Sequence, residues 1–189
     1  KNSCRVLVNW IHAEEINEKN IEKKLATLSG IIVAPGFGDR GIEGKIHAIK
    51  YVRENNIPFL GICLGMQTAV IEYARNVLNL KDANSLEMNE KTPHPVIHLM
   101  ETQKNIFNKG GTMRLGSYEC NIIENSKSFS AYKEKIIHER HRHRFEFNNL
   151  YKDDFEEKGM IASGINQKNN LVEIIELPNH KRFVGVQFH

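Results

Sequence analysis

Gly61-Ile62-Cys63-Leu64-Gly65 is the segment that most narrows what this chain can become. Ahead of the cysteine, Phe59 to Ile62 is an apolar run of strand length, opened by Pro58. Behind it, Met66, Ala69, Val70, Tyr73, Ala74, Val77 and Leu78 recur at helical spacing. A cysteine between strand and helix, flanked by glycines two residues to either side, has the pattern of a hydrolase elbow with sulfur in place of a hydroxyl. The glycines let the chain turn sharply and leave the sulfur accessible, and the helix N-terminus favours thiolate over thiol. The same residues fit a second reading, in which Cys63 is a buried core cysteine.

The surrounding pattern alternates strands with helices. Cys4 to Val8 reads as a strand, Ile16 to Leu28 as a surface helix, and Gly30 to Ala34 as a strand. Pro35-Gly36-Phe37-Gly38-Asp39-Arg40-Gly41 is then a constrained loop, followed by a helix from Ile42 to Asn55 with Ile42, Ile46, Ile49 and Val52 on its inner face. That order predicts an α/β fold, with a mostly parallel central sheet covered by helices on both faces. Past Leu80, Val96 to Leu99, Thr112 to Leu115 and Tyr118 to Ile122 read as short strands, with a turn at Gly110-Gly111, and predict an additional small antiparallel sheet. Arg140 to Phe147 alternates as an extended segment does, and Tyr151 to Gly159 reads as a short helix. Met160 to Ser163, Leu171 to Glu176 and Arg182 to Phe188 complete the sheet, the last two as a hairpin around Pro178-Asn179. Sites in such sheets gather beyond the carboxyl ends of the strands, where both the glycine loop and Cys63 fall.

The 189 residues suit one domain, and 40% hydrophobic with 26% charged residues is ordinary for a globular chain. No apolar run has the length of a membrane span, and the first residues show no signal-peptide pattern. Three widely spaced cysteines suggest neither a disulfide framework nor a zinc site, so a reducing, cytoplasmic location is expected. The alternating run Glu139-Arg140-His141-Arg142-His143-Arg144 places guanidinium groups where a metal cation would be repelled. It also lacks the interleaved aromatics of a base-stacking surface, so no metal and no nucleic acid are expected.

With Gln187-Phe188-His189 at the far end, Gly-Ile-Cys-Leu-Gly-Met-Gln at 61–67 resembles the triad-type, class I glutamine amidotransferases. Further motifs resemble the glutaminase domain of the CTP synthase family. These are Gly38-Asp39-Arg40-Gly41, Asp82-Ala83-Asn84-Ser85, the segment 110–116, the 139–144 run, Leu171-Val172-Glu173-Ile174 and Pro178-Asn179-His180. The resemblance runs from Cys4 to His189 and implies a flavodoxin-like glutaminase domain over residues 1–189. The family's opening strand and helix have no counterpart before Cys4, and its third triad member, a glutamate two residues past the histidine, falls beyond His189.

What the resemblance implies is specific. Cys63 is the nucleophile that forms a glutamyl thioester, and His189 is its base; the other eight histidines carry no such assignment. The oxyanion donors are the N–H groups of Leu64 and Gly36. At 34–38 the family's Pro-Gly-Gly-Phe-Gly reads Ala-Pro-Gly-Phe-Gly, so position 35 has no N–H to give. L-glutamine is held by Gly36, Leu64, Gly65, Met66 and Gln67, with Glu87 on its ammonium and Arg144 as a further donor. The ammonia released would pass to a separate N-terminal synthetase domain, which uses ATP and Mg2+ to aminate UTP to CTP in pyrimidine nucleotide biosynthesis. GTP acts as allosteric activator, with Arg40 and Arg114 as candidate contacts, and the full-length family assembles as homo-oligomers, a tetramer being expected. No Gly-Lys-Ser/Thr phosphate loop occurs here, so this domain itself is expected to hold no cofactor. Alternatives of a different kind are another class I amidotransferase, a γ-glutamyl hydrolase, and a non-catalytic assembly scaffold.

Overall fold

In the computed structural model, residues 3–99 and 113–189 are described. Strand β1 (Ile31–Val33) runs parallel to β2 (Phe59–Ile62), and β2 in turn runs parallel to β10 (Phe183–Val186). Helices α2 (Ile42–Glu54) and α3 (Leu64–Asn76) lie between these strands in the sequence and pack against each other. From β10 the sheet continues antiparallel through β9 (Leu171–Glu176), β8 (Ile161–Asn166), β5 (Arg114–Ile122) and β6 (Ile136–His143). A second sheet of three strands joins β3 (Asn84–Ser85), β4 (Pro95–Leu99) and β7 (Phe145–Phe147). The expected α/β architecture with a small second sheet is therefore present, but the strand 114–122 expected in that small sheet joins the larger one, and the small sheet pairs β3 with β4 parallel; the parallel part of the larger sheet is concentrated where the glycine loop and the elbow emerge.

The register follows from side-chain alternation. Phe59 and Phe183 are paired across β2 and β10, with ring centroids 4.4 Å apart, and both face the larger core beneath α3. Val184 and Val186 point the other way, into a smaller core with Cys120, Ile122, Ile137, Ile174 and Phe188. That second face is covered by the short helix α4 (Lys127–Tyr132), through Phe129. Helix α2 buries Ile42, Ile46, Ile49 and Val52, the inner face read from spacing. Helix α3 is buried on all sides from Leu64 to Ala74, so Gln67, Thr68 and Glu72 lie inside as well. Glu72 is accommodated there because Arg53 pairs with it at 2.8 Å.

Four expected elements differ. Cys4 to Val8 forms no strand and its apolar side chains are exposed, since no described backbone offers it a ladder. The expected Ile16 to Leu28 helix is cut down to α1 (Ile21–Leu25), with a separate 3₁₀ turn at Ala13–Glu15 ahead of it. Asn20 Oδ1 accepts the Asn17 N–H and Asn17 Oδ1 accepts the Lys19 N–H, both at 3.0 Å, which competes with helix across 17–20. Arg114 to Ile122 is one nine-residue strand where two were expected, with Gly116 at φ 103 carried inside it. The Gly110-Gly111 turn and Thr112 lie outside the described residues. The extended segment 140–147 changes sheet at Arg144, between β6 and β7. The final helix, α5 (Lys152–Glu157), is followed by Gly159 at φ 101, the left-handed position glycine favours after a helix.

Candidate active site

The elbow is built more tightly than its glycines suggest. Cys63 itself takes the left-handed turn, at φ 54 and ψ −104, a backbone conformation that costs a non-glycine residue. Its N–H donates to the Val186 carbonyl at 2.7 Å, which ties the nucleophile position to the end of β10. The flanking glycines serve close approach instead. A Cβ on Gly65 would lie 2.2 Å from the Val33 carbonyl oxygen, and one on Gly61 would lie 2.7 Å from the Gly65 backbone. Strand β1, the start of α3 and the elbow are thus in direct backbone contact.

A pocket opens at this point. Its wall takes Gly36 and Phe37 from the loop after β1, Cys63 and Gln67 from the elbow, and Glu87 from the segment after β3. Met113, His143, Arg144 and Phe145 close the other side. Of the residues singled out from sequence, Cys63, Gly36, Gln67, Glu87 and Arg144 therefore meet in one place, from four separate stretches of chain. Glu87 accepts the Gly38 N–H at 3.1 Å, which fixes the glycine loop against the acidic side of the pocket. Gln67 donates its amide to the Phe145 carbonyl at 2.9 Å and to Gln187 Oε1 at 3.2 Å. Leu64, Gly65 and Met66 are buried and stand behind the wall, so they can serve a ligand only through backbone groups at the start of α3.

Cys63 is almost fully buried, and burial pushes its thiol up to about 11. The Leu64 N–H bonds to the sulfur and pulls in the other direction, while Glu146 and Glu87 add to the rise. The helix N-terminus alone therefore does not make this sulfur a resting thiolate, contrary to the expectation from the elbow pattern. Cys120, in the second core, is pushed up to about 12 by the same burial.

His189 follows β10, the strand beside the elbow, and is not among the residues that line the pocket. It is exposed, its N–H donates to the Arg140 carbonyl at 2.8 Å, and its ring bonds to the Arg142 backbone. Partial burial and then Arg140 hold its ring below the ordinary histidine range, so it is neutral near pH 7 and has a lone pair to accept a proton.

Sequence reading passed over the polar group behind the pocket. Along β6, Arg140 and Arg142 point outward and His141 and His143 point inward, both buried. His143 Nε2 lies 2.8 Å from Glu146 Oε1, which also accepts Arg114 at 3.1 Å. Arg114 reaches Glu173 at 2.8 Å and stacks on Tyr118 at 4.4 Å. Burial pushes Glu173 up to about 7 against the opposing pull of Arg114, and pushes His141 down to about 3. The signal was available: period-two alternation aims both histidines to one face, and Glu146 follows three residues later. Arg114 is buried between two carboxylates, whereas Arg40 is exposed and paired with Glu14. Among the described residues, no group of three or more His, Cys, Asp or Glu side chains is placed to hold a metal ion, and no helix is long and apolar enough to cross a membrane.

Comparison with known proteins narrows the family. A model of the class-I glutamine amidotransferases matches residues 1–189. A CTP synthase of Flavobacterium johnsoniae is 62% identical over 188 residues, covering all of this chain and 35% of the relative. One from Cytophaga hutchinsonii is 57% identical over 188 residues, again all of this chain and 35% of the relative. The chain thus spans about a third of the length of the curated relatives it matches. The solved glutaminase domain of Trypanosoma brucei CTPS, with bound acivicin, aligns with a TM-score of 0.91 at 38% identity, over 98% of this chain and 73% of that one. A glutamine amidotransferase of Methylobacillus flagellatus shares the fold, with a TM-score of 0.52 at 11% identity over 85% of this chain and 51% of that one.

Proposed function

Because the chain belongs to the class-I glutamine amidotransferase family, and within it to the glutaminase domains of CTP synthases, we propose that it hydrolyses L-glutamine at Cys63 and supplies ammonia for the amination of UTP. The observation that carries this reading is the convergence of Cys63, Gly36, Gln67, Glu87 and Arg144 on one pocket at the carboxyl ends of β1 and β2. Glu87 offers a carboxylate to the substrate's α-ammonium, and Arg144 a guanidinium to its α-carboxylate. The side-chain carboxamide then lies toward the sulfur.

The raised thiol sets the order of events. Cys63 stays protonated until glutamine is bound, and its proton leaves as sulfur attacks the carboxamide carbon, with His189 as the acceptor. The carbonyl oxygen becomes an oxyanion held by the N–H groups of Leu64 and Gly36; losing one such donor costs about 10²–10³ in turnover. Collapse breaks the C–N bond as the imidazolium returns its proton to the leaving nitrogen, giving ammonia and a glutamyl thioester. Water then attacks the thioester, again deprotonated by the imidazole, and glutamate leaves with Cys63 restored as the thiol.

On this reading the UTP amination, with ATP and Mg2+, takes place on a synthetase domain of the same polypeptide. GTP activation, homo-oligomeric assembly and a cytoplasmic location belong to the same proposal. Arg40 is the more accessible of the two arginines considered for GTP. The test is Cys63→Ala in the full-length polypeptide. CTP formation from glutamine should be lost and formation from added ammonia kept, with no labelling at position 63 by a glutamine-analogue electrophile. Undiminished CTP formation from glutamine in that variant overturns the assignment.

A further inference from the structure

Resting on that reading, the buried pair behind the pocket has a use that the proposed roles leave unfilled. His143 lines the same wall as Cys63, is 2% exposed, and has no hydrogen-bond partner at Nδ1. Its other nitrogen faces Glu146 at 2.8 Å, and Glu146, paired with Arg114, can only accept. Nε2 therefore donates to the carboxylate, and in that tautomer Nδ1 carries a lone pair. A buried acceptor without a donor beside a pocket is incomplete until something N–H-bearing arrives.

Glutamine carries two sets of N–H donors. The α-ammonium is matched by Glu87, but none of Gly36, Leu64, Gln67 and Arg144 has been assigned to the carboxamide –NH2. His143 lines the pocket together with Cys63, the residue that the carboxamide approaches. We propose that His143 Nδ1 accepts a hydrogen bond from the carboxamide –NH2 of bound glutamine, and that this bond discriminates glutamine from glutamate. Glutamate has no N–H at that position and sets a carboxylate oxygen against the lone pair, a mismatch that a buried polar site rejects strongly. His143 takes no proton in this role. It orients the leaving group so that the carbonyl carbon faces the sulfur and the carbonyl oxygen faces the Leu64 and Gly36 donors.

Two substitutions separate this role from support of Glu146. Asn at 143 keeps a polar atom near the Nδ1 position and gives up the bond to Glu146; Gln keeps an amide near Nε2 and gives up the acceptor at Nδ1. In the full-length polypeptide, His143→Asn should hold kcat/KM for glutamine within about threefold. His143→Gln should lose about tenfold or more, the scale of one hydrogen bond to a substrate. Inhibition by added glutamate should be unchanged or tighter in the Gln variant, so its discrimination falls by the same factor at unchanged Tm. The proposal is overturned if His143→Gln discriminates as the wild type does, or if only the Asn variant is impaired, which assigns the residue to Glu146. Failure of the underlying reading has a different signature: wild-type protein that neither hydrolyses glutamine nor labels at Cys63.

Discussion

The resting state of the nucleophile can be measured directly by titrating its alkylation. A thiol at about 11 is about 0.1% ionised at pH 8, against about 9% for one at the ordinary 9.0, so Cys63 should react about a hundredfold more slowly than an unperturbed thiol of equal access. Burial slows alkylation at every pH, so the shape of the profile, not its height, is the evidence. Iodoacetamide modification would be followed by peptide mass spectrometry, with exposed Cys4 as an in-chain comparator. Log rate at Cys63 should climb with unit slope from pH 7 to about 10.5 without levelling, each pH unit giving about tenfold. Glu87→Gln removes one of the two carboxylates that raise the thiol yet keeps an oxygen for the Gly38 N–H, so it should raise the rate several-fold at fixed pH. A plateau below pH 9 in the wild type would show that the start of α3 outweighs burial, and the order of proton transfer derived above would be wrong.

Other consequences are testable in the same way. His141 is held near 3 by burial while an unfolded histidine titrates near 6.5, so stability is full above pH 6.5 and is lost as pH falls toward 3. His141→Phe should therefore lose about 1–2 kcal/mol less than wild type between pH 7 and pH 5 in urea unfolding, and parallel losses would contradict this. Gly65→Ala puts a methyl 2.2 Å from a backbone oxygen that cannot move without shifting β1; Tm should fall by about 4–10 °C, and an unchanged Tm would refute the contact. Glu176 accepts the Lys127 and Ser128 N–H groups at 2.8 Å each and the Ser163 hydroxyl at 2.8 Å, so Glu176→Ala should cost about 2–4 kcal/mol by chemical denaturation, with little change in the glutamine KM.

What could be read from the residues was set by how local the determinants are. The β1–α2–β2–α3 order and the β9–β10 hairpin were legible, because apolar periodicity and the glycine punctuation lie within each element. The segment 16–28 was misread because Asn17 and Asn20 have helix-compatible neighbours, while their side chains bind the backbone in a turn. Cys4 to Val8 has strand composition, but pairing is a property of two segments, and no described partner lies beside it. The pocket wall was largely legible through resemblance, whereas the charge state of its thiol was not. Burial, Glu146 and Glu87 act on Cys63 through space, from residues far from it in sequence. His143 was passed over for a related reason: Arg114, which shares Glu146 with it, is its cross-strand neighbour in β5, a register that no single-sequence pattern announces.

The missing Cβ of Gly65 has a mechanical result. With no side chain between the end of β1 and the start of α3, the ribbon that supplies one oxyanion donor rests on the backbone of the bend that presents the sulfur. A shift of either therefore bears on the other, like two jaws cut from one casting. The opposite wall is built differently, with Arg144 standing where the chain passes from one sheet to the other.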